Sequence, residues 1–170
     1  MNKRKIISLN EKVISESREE LAPLEKDGKY VFHGSPVLLD KLELRQPFTY
    51  CEETGKQEKH GEPSICATSF VDIAIFRAIV NKNNAPIKKY TSEFGNHENK
   101  KDKPGLYFKM TPETVKEIKN KVGYVYVFDR SFFKKFSNME WRTNKEIVPL
   151  QSIQVSFDDL PEFDEVPYEF

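Results

Sequence analysis

The distribution of apolar residues along this chain predicts an α+β fold with a largely antiparallel or split sheet. Short segments rich in β-branched and aromatic residues outnumber the helical ones. They do not alternate strictly with helices, as a doubly wound parallel sheet requires. None of the seven glycines stands in a GxGxxG or GxxxxGK phosphate loop. At 170 residues the chain fits one domain with its own core. The expected partition is a helical lead-in over 1–27, a core over 28–157 and an acidic tail over 158–170.

The elements follow in order. Leu9, Val13, Ile14, Leu21 and Leu24 predict a helix over 9–24, with Asn10 as its cap and Pro23 as its end. Asp27-Gly28 is a turn. Tyr30-Val31-Phe32 is a buried strand running into His33-Gly34-Ser35-Pro36. Residues 40–63 are polar and interrupted by Pro47, Gly55 and Gly61, which predicts a long irregular excursion bordering a site. Ile65-Cys66-Ala67 is a second strand, and Ser69 with Asp72 reads as a capping box for a helix from Val71 to Asn81. That helix is apolar on nearly every side except at Arg77, so it belongs inside the core.

Residues 82–104 are rich in Asn, Lys, Glu and Gly and predict a mobile loop, with Ile87, Tyr90 and Phe94 as anchors. Leu106 to Met110 is a strand. Thr111-Pro112-Glu113 is a helix start with a cap, proline at the first position and an acid in the first turn. Val115, Ile118 and Val122 form its apolar stripe and Gly123 its stop. Tyr124–Phe128, Met139–Arg142, Glu146–Leu150 and Ile153–Phe157 are read as strands.

Lysine plus arginine and aspartate plus glutamate balance at 27 each, so no overall field attracts nucleic acid or anionic lipid. Charge is nonetheless uneven. Lys88, Lys89, Lys100, Lys101 and Lys103 cluster mid-chain and read as a solvated loop, and Asp158 to Glu169 is acidic. No run approaches 18 apolar residues and the basic start has no secretory apolar region, so the expectation is a cytoplasmic protein without a membrane partner. Cys51 and Cys66 make neither a disulfide framework nor a cysteine zinc site. Cys66 reads as a small buried hydrophobe and Cys51 as an exposed thiol. His60 and His97 lie in polar loops without metal-ligand spacing, and no metal is expected.

His33 carries the chemistry most worth following. A neutral imidazole can accept from a sugar hydroxyl at one nitrogen while the protein holds the other. Gly34 lets a flat ligand approach the backbone and offers its N–H and C=O to an amide, and Ser35 adds a hydroxyl. The bland alternative is a His-Gly turn satisfied by a neighbour. Glu146, opening Glu-Ile-Val-Pro-Leu after a polar stretch, is an acid that can point into a cleft and stabilise an oxocarbenium-like sugar cation. Its alternative is a solvated strand-edge carboxylate.

Phe32-His33-Gly34-Ser35, then Ile65-Cys66-Ala67-Thr68-Ser69 leading into a helix with Ala74 and Ala78, then Glu146-Ile147-Val148-Pro149 before Ile153-Gln154-Val155, together resemble the ADP-ribosyltransferase superfamily. The branch resembled is the one built on histidine, an aromatic residue and glutamate, which includes diphtheria-toxin-like, poly(ADP-ribose) polymerase-like and RNA 2′-phosphotransferase-like domains. The similarity covers about 30 residues in three blocks. It implies a split two-sheet α+β domain with NAD in the cleft. His33 would then hold a ribose hydroxyl and Gly34 the nicotinamide amide. Thr68 and Ser69 would brace the pocket, and Glu146 would favour cleavage of the glycosidic bond. Cys66 stands where branch members often place an aromatic ring that stacks on nicotinamide, and Tyr90 or Phe94 would have to replace it. Arg45 would meet the pyrophosphate or an RNA phosphate.

Three functions follow from the resemblance: transfer of ADP-ribose to a protein or nucleic-acid acceptor, NAD-dependent removal of an RNA 2′-phosphate, and a non-catalytic binding module that retains only the fold.

Overall fold

The computed structural model describes residues 15–86, 92–96 and 105–167. Among them are three α-helices and eleven short strands, mostly antiparallel, in four small sheets, which is an α+β architecture.

Helix α1 (Glu16–Asp27) starts at Ser15, whose hydroxyl accepts from the Arg18 N–H, and ends at Gly28 in the left-handed conformation with φ 72°. The expected cap Asn10 and the apolar Leu9, Val13 and Ile14 lie outside the described residues. Pro23 does not end this helix. It removes only the N–H that would reach the Glu19 carbonyl, which is on the exposed side where water can replace it. Buried Leu21 and partly buried Leu24 hold the helix on the core past the proline.

Strand β1 (Tyr30–Ser35) extends through His33 and Gly34. A hairpin of β2 (Phe48–Cys51) and β3 (Lys56–Lys59) occupies the region expected to be irregular. Its strands are largely exposed, so no half-buried alternation marks them in the sequence. Strand β4 (Ile65–Ala67) leads into helix α2 (Val71–Ile79), which buries seven of its nine residues as its all-round apolar character requires. The expected Ser69/Asp72 capping box does not form. Phe70 occupies the cap position without a side-chain bond. The Val71 N–H donates instead to the Glu25 carboxylate of α1 at 2.8 Å, and Asp72 pairs with Arg18 at 2.7 Å.

Strand β5 (Ser92–Asn96) falls within the segment read as a loop and pairs with β6 (Leu106–Met110). The five mid-chain lysines, Ile87, Tyr90 and His97 lie outside the described residues. Helix α3 (Pro112–Ile118) begins as expected, with the Thr111 hydroxyl accepting from the Thr114 N–H. Val122 and Gly123 do not belong to it; they open β7 (Val122–Asp129), the longest strand. A 3-10 turn over Arg130–Phe132 precedes β8 (Lys134–Lys135) and β9 (Trp141–Thr143).

Glu146–Leu150 is not a strand: Val148 is 69% and Leu150 62% exposed, and only the Leu150 N–H joins the ladder, at the Val127 carbonyl. Strand β10 (Gln151–Ser156) follows. The acidic end is docked. Asp159 is buried, accepting from Ser156 and from the Ser15 hydroxyl, and β11 (Asp164–Glu165) pairs parallel to β6.

The central sheet has the order β1-β7-β10, and α2 covers one face. Two glycines allow this contact to be close. A Cβ on Gly34 would meet the Ala74 carbonyl oxygen at 2.0 Å, and one on Gly123 would meet the Ala78 carbonyl oxygen at 2.2 Å. Gly123 is therefore a packing glycine of β7, not a helix stop. Phe32, Val125, Val127, Ile153 and Val155 join α2 in the main core. The opposite face carries a second cluster of Val31, Tyr126 and Phe128 with Leu42, Ile65, Ala67 and Phe133. The other sheets are β4-β9-β8, β11-β6-β5 and the hairpin.

Candidate functional site

The central sheet and the β4-β9-β8 sheet join at a single bridge, Phe32 with Thr68, whose N–H and C=O groups exchange bonds of 2.7 and 2.8 Å. Beyond that bridge β1 and β4 separate, and the split carries His33. Because both backbone groups of Phe32 face β4, ladder alternation points those of Gly34 to the same edge, past the last paired residue. The missing side chain of Gly34 is thus explained by α2, while its N–H and C=O face the split.

Half-buried His33 projects to the opposite face from Gly34. Its Nδ1 is 2.6 Å from the Cys66 carbonyl oxygen. A carbonyl only accepts, so Nδ1 carries the proton and the neutral ring presents Nε2 as a bare acceptor. Burial depresses the His33 pKa first; the Cys66 bond opposes that, and the charges of Arg77 and Arg45 reinforce it. The net direction is downward, so the neutral tautomer prevails at neutral pH. Tyr126 lies beside the ring, 6.4 Å between centroids. The Tyr126 hydroxyl donates to the Val37 carbonyl at 2.8 Å and accepts from the Leu39 N–H at 2.6 Å, fixing the segment after β1 as a wall.

His33 borders a cleft of about 280 Å³, whose other walls include Ser35, Lys41, Glu43, Arg45, Ser64 and Cys66. Ser35 is buried and its hydroxyl accepts from the Val37 N–H. Arg45 is held by backbone exchange with Ser64 and has no ion-pair partner among the described residues. No phenylalanine, tyrosine or tryptophan is among the described lining residues. Tyr90 lies outside the described residues. Phe94 is in β5, packed on Phe76 and Phe108, with the Arg77 guanidinium 5.1 Å from its ring. Thr68 stands at the closed end of the split, its hydroxyl accepting from the Phe70 N–H, and half-buried Ser69 follows it.

Glu146 is on the connection between β9 and β10, 55% exposed, and pairs with Lys41 at 3.1 Å. It reaches the mouth of the cleft through that lysine.

A carboxylate missed by the sequence reading lies deeper. Glu140 immediately precedes β9, one step beyond the pairing of Ala67 with Trp141. Its side chain therefore shares a face with Cys66 and Arg142. Arg142 Nε donates to it at 2.6 Å, with the two side chains only 10% and 27% exposed. The Cys66 thiol also donates to it, and Ser64 Oγ is 3.7 Å from that sulfur. Burial opposes the Glu140 charge, but the bonds from Arg142 and Cys66 and the fields of Arg142 and Arg77 more than offset it. The carboxyl is thus held below its ordinary range. The Cys66 thiol is pushed up by burial and by Glu140, which keeps it protonated. The signal available in the sequence was alternation: in Met139-Glu140-Trp141-Arg142 the apolar residues face the cores and the charges face the other way.

Among the described residues, no group of three or more His, Cys, Asp or Glu is arranged to hold a metal ion, and no helix is long and apolar enough to cross a membrane. The cleft therefore brings together a neutral imidazole, two cations, Lys41 and Arg45, and the acid Glu43, while the partly buried Glu140–Arg142 pair lies behind Cys66 and outside the cleft lining. No protein-family model, curated protein or solved structure matches this chain.

Proposed function

We propose that the cleft binds NAD and that the protein transfers ADP-ribose from it to a protein or nucleic-acid acceptor. The observation that carries this reading is the state of His33. Its Nδ1–H is committed to the Cys66 carbonyl, so a bare Nε2 is left at a cleft lined by His33 and Ser35, the two neighbours of Gly34 in β1. That arrangement suits a ribose hydroxyl at the imidazole and a carboxamide at Gly34. Ser35 adds a polar wall, Thr68 and Ser69 brace the closed end, and Arg45 and Lys41 offer charge to a pyrophosphate.

In this reading the carboxylate that favours bond cleavage is Glu140, which the ribose would have to reach past the Cys66 side chain, with Glu146 at the mouth on Lys41 as the alternative. As the bond between the anomeric carbon and the nicotinamide nitrogen lengthens, positive charge develops on the ribose. A fixed ionised carboxylate stabilises that charge without having to reorganise. Nicotinamide leaves with the bonding electrons, and the acceptor nucleophile attacks the anomeric carbon. The cleft volume lies just under the usual range for ligand pockets, which suits the nicotinamide riboside half better than the whole dinucleotide.

A second reading is a non-catalytic module that binds a nucleotide or sugar. It is favoured by the absence of an aromatic side chain among the described walls, which leaves no ring to stack on nicotinamide. Incubation with radiolabelled NAD and cell lysate separates the two. The transferase reading expects nicotinamide release and a labelled acceptor, both lost in His33→Ala. Saturable NAD binding by wild type with no release in the presence of lysate would establish the module instead.

A further inference from the structure

A second groove, of about 520 Å³, runs along the outer edge of the β4-β9-β8 sheet. Phe132, Lys134, Lys135, Phe136, Arg142 and Lys145 line it. We infer that this groove binds a single-stranded nucleic acid and presents it to the His33 cleft as the acceptor. The inference rests on the transferase reading above and deepens it by choosing between the two acceptor classes.

Charge is the first argument. Lys134, Lys135 and Lys145 are exposed and make no ion pair among the described residues, whereas one carboxylate, Glu62, lines the groove. Arg142 is committed to Glu140, so three free ammonium groups face one acid. This local excess stands in a chain whose overall charges balance. Aromatic exposure is the second argument. Phe132 is 59% and Phe136 48% exposed, on either side of the lysine pair. Phe136 is partly occupied, with the Arg142 guanidinium 3.5 Å from its ring centroid and the His60 ring at 5.2 Å. Phe132 has no ring contact among the described residues. Lysines on an edge strand protect it from pairing with other chains; exposed phenylalanines beside them do the reverse, so protection does not explain the set. Cations that track a backbone beside rings that stack on bases are the recurring elements of single-strand recognition.

Position is the third argument. Ser64 lines both the groove and the His33 cleft. Arg142 lines the groove while its Nε holds Glu140 at 2.6 Å. A strand in the groove therefore passes beside Arg142, the partner of the carboxylate assigned to the reacting ribose.

The test is fluorescence anisotropy of the full chain with labelled single-stranded oligonucleotides of about 15 nucleotides, oligothymidine and oligouridine, without NAD. Duplex DNA and polyglutamate serve as competitors. Three phosphate contacts predict a slope of log affinity against log salt of about −2. The double variant Lys134→Glu/Lys135→Glu is expected to weaken binding at least tenfold. Phe132→Ser is expected to weaken it at least fivefold with the salt slope unchanged. Lys145→Glu gives the charge readout should the double variant fail to fold.

Absence of binding at low salt, equal competition by polyglutamate, or indifference to all these substitutions would overturn the inference. Failure of the parent reading is separately visible. Oligonucleotide binding that survives in His33→Ala, with no nicotinamide release by wild type, would sink the transferase and keep the groove. Nicotinamide release that labels protein but never oligonucleotide would sink the acceptor assignment and keep the transferase.

Discussion

Replacing Gly34 by alanine tests how the helix α2 is seated on the sheet. An ideal Cβ there would lie 2.0 Å from the Ala74 carbonyl oxygen and 2.7 Å from the Ala78 nitrogen. Ordinary contact begins near 3.4 Å, so the helix must retreat by about 1.4 Å or β1 must buckle. Both obstacles are backbone atoms of a buried helix, so no side-chain rotation relieves the clash. Overpacking a core costs about 1–3 kcal/mol, and a backbone obstacle places this case at or above the upper end. For a domain of this size about 3 kcal/mol lowers Tm by roughly 6–12 °C. Gly28→Ala is the control. Nothing lies within 4 Å of its Cβ and only the left-handed φ of 72° is strained, so the cost is about 1–2 kcal/mol. Calorimetric or circular-dichroism melts of the two variants check the difference. A Gly34→Ala protein that melts with wild type, or above Gly28→Ala, would refute the packing argument.

Three further outcomes are expected. Glu140→Gln is expected to abolish nicotinamide release, whereas Glu146→Gln retains it, because Glu146 stands 55% exposed at the mouth with its charge shared with Lys41; the reverse pattern would assign the chemistry to Glu146. The depressed Glu140 pKa contributes stability that is present above the ordinary carboxyl value of 4.5 and is lost as pH falls through the folded-state value. Acid melts of Glu140→Gln should therefore show a weaker dependence on pH than wild type. Glu25→Ala removes the cap that α1 lends to α2 and should cost about 1 kcal/mol, seen as a fall in Tm of roughly 2–4 °C; an unchanged Tm would mean that water replaces the carboxylate at no cost.

The parts of this fold legible in the sequence are those set by local chemistry. Thr111-Pro112-Glu113 starts a helix by its own cap and dihedral preference, Gly28 ends one, and a helix as apolar as Val71–Ile79 can only be central. Features set by distant partners were not legible. Ser69 and Asp72 have the spacing of a capping box, but Glu25, 46 residues earlier, reaches the Val71 N–H first. Pro23 stays inside a helix because Leu21 and Leu24 hold it down. Val122-Gly123 looks like a helix end because the need of β7 for a bare Cα under Ala78 is a tertiary fact. Glu146–Leu150 is rich in strand formers, yet Pro149 has no N–H to give and Val148 no core to enter. For the site, His33 was marked by its place after an aromatic strand. Glu140 was not: alternation through Met139-Glu140-Trp141-Arg142 marks its face, but its meeting with Cys66 across the strand pair is a tertiary fact.

The central claim is that His33, neutral and anchored at Nδ1, accepts a ribose hydroxyl of NAD at Nε2. Titration calorimetry with NAD on wild type and His33→Ala, repeated over pH, tests it most directly. Protonation of His33 removes the acceptor, and its folded-state pKa lies below 6.5. The account predicts saturable binding at neutral pH that weakens only once pH falls below 6.5, and loss of at least tenfold in affinity for His33→Ala at neutral pH. Equal affinity in the two proteins, or no heat from wild type at millimolar NAD, would contradict it.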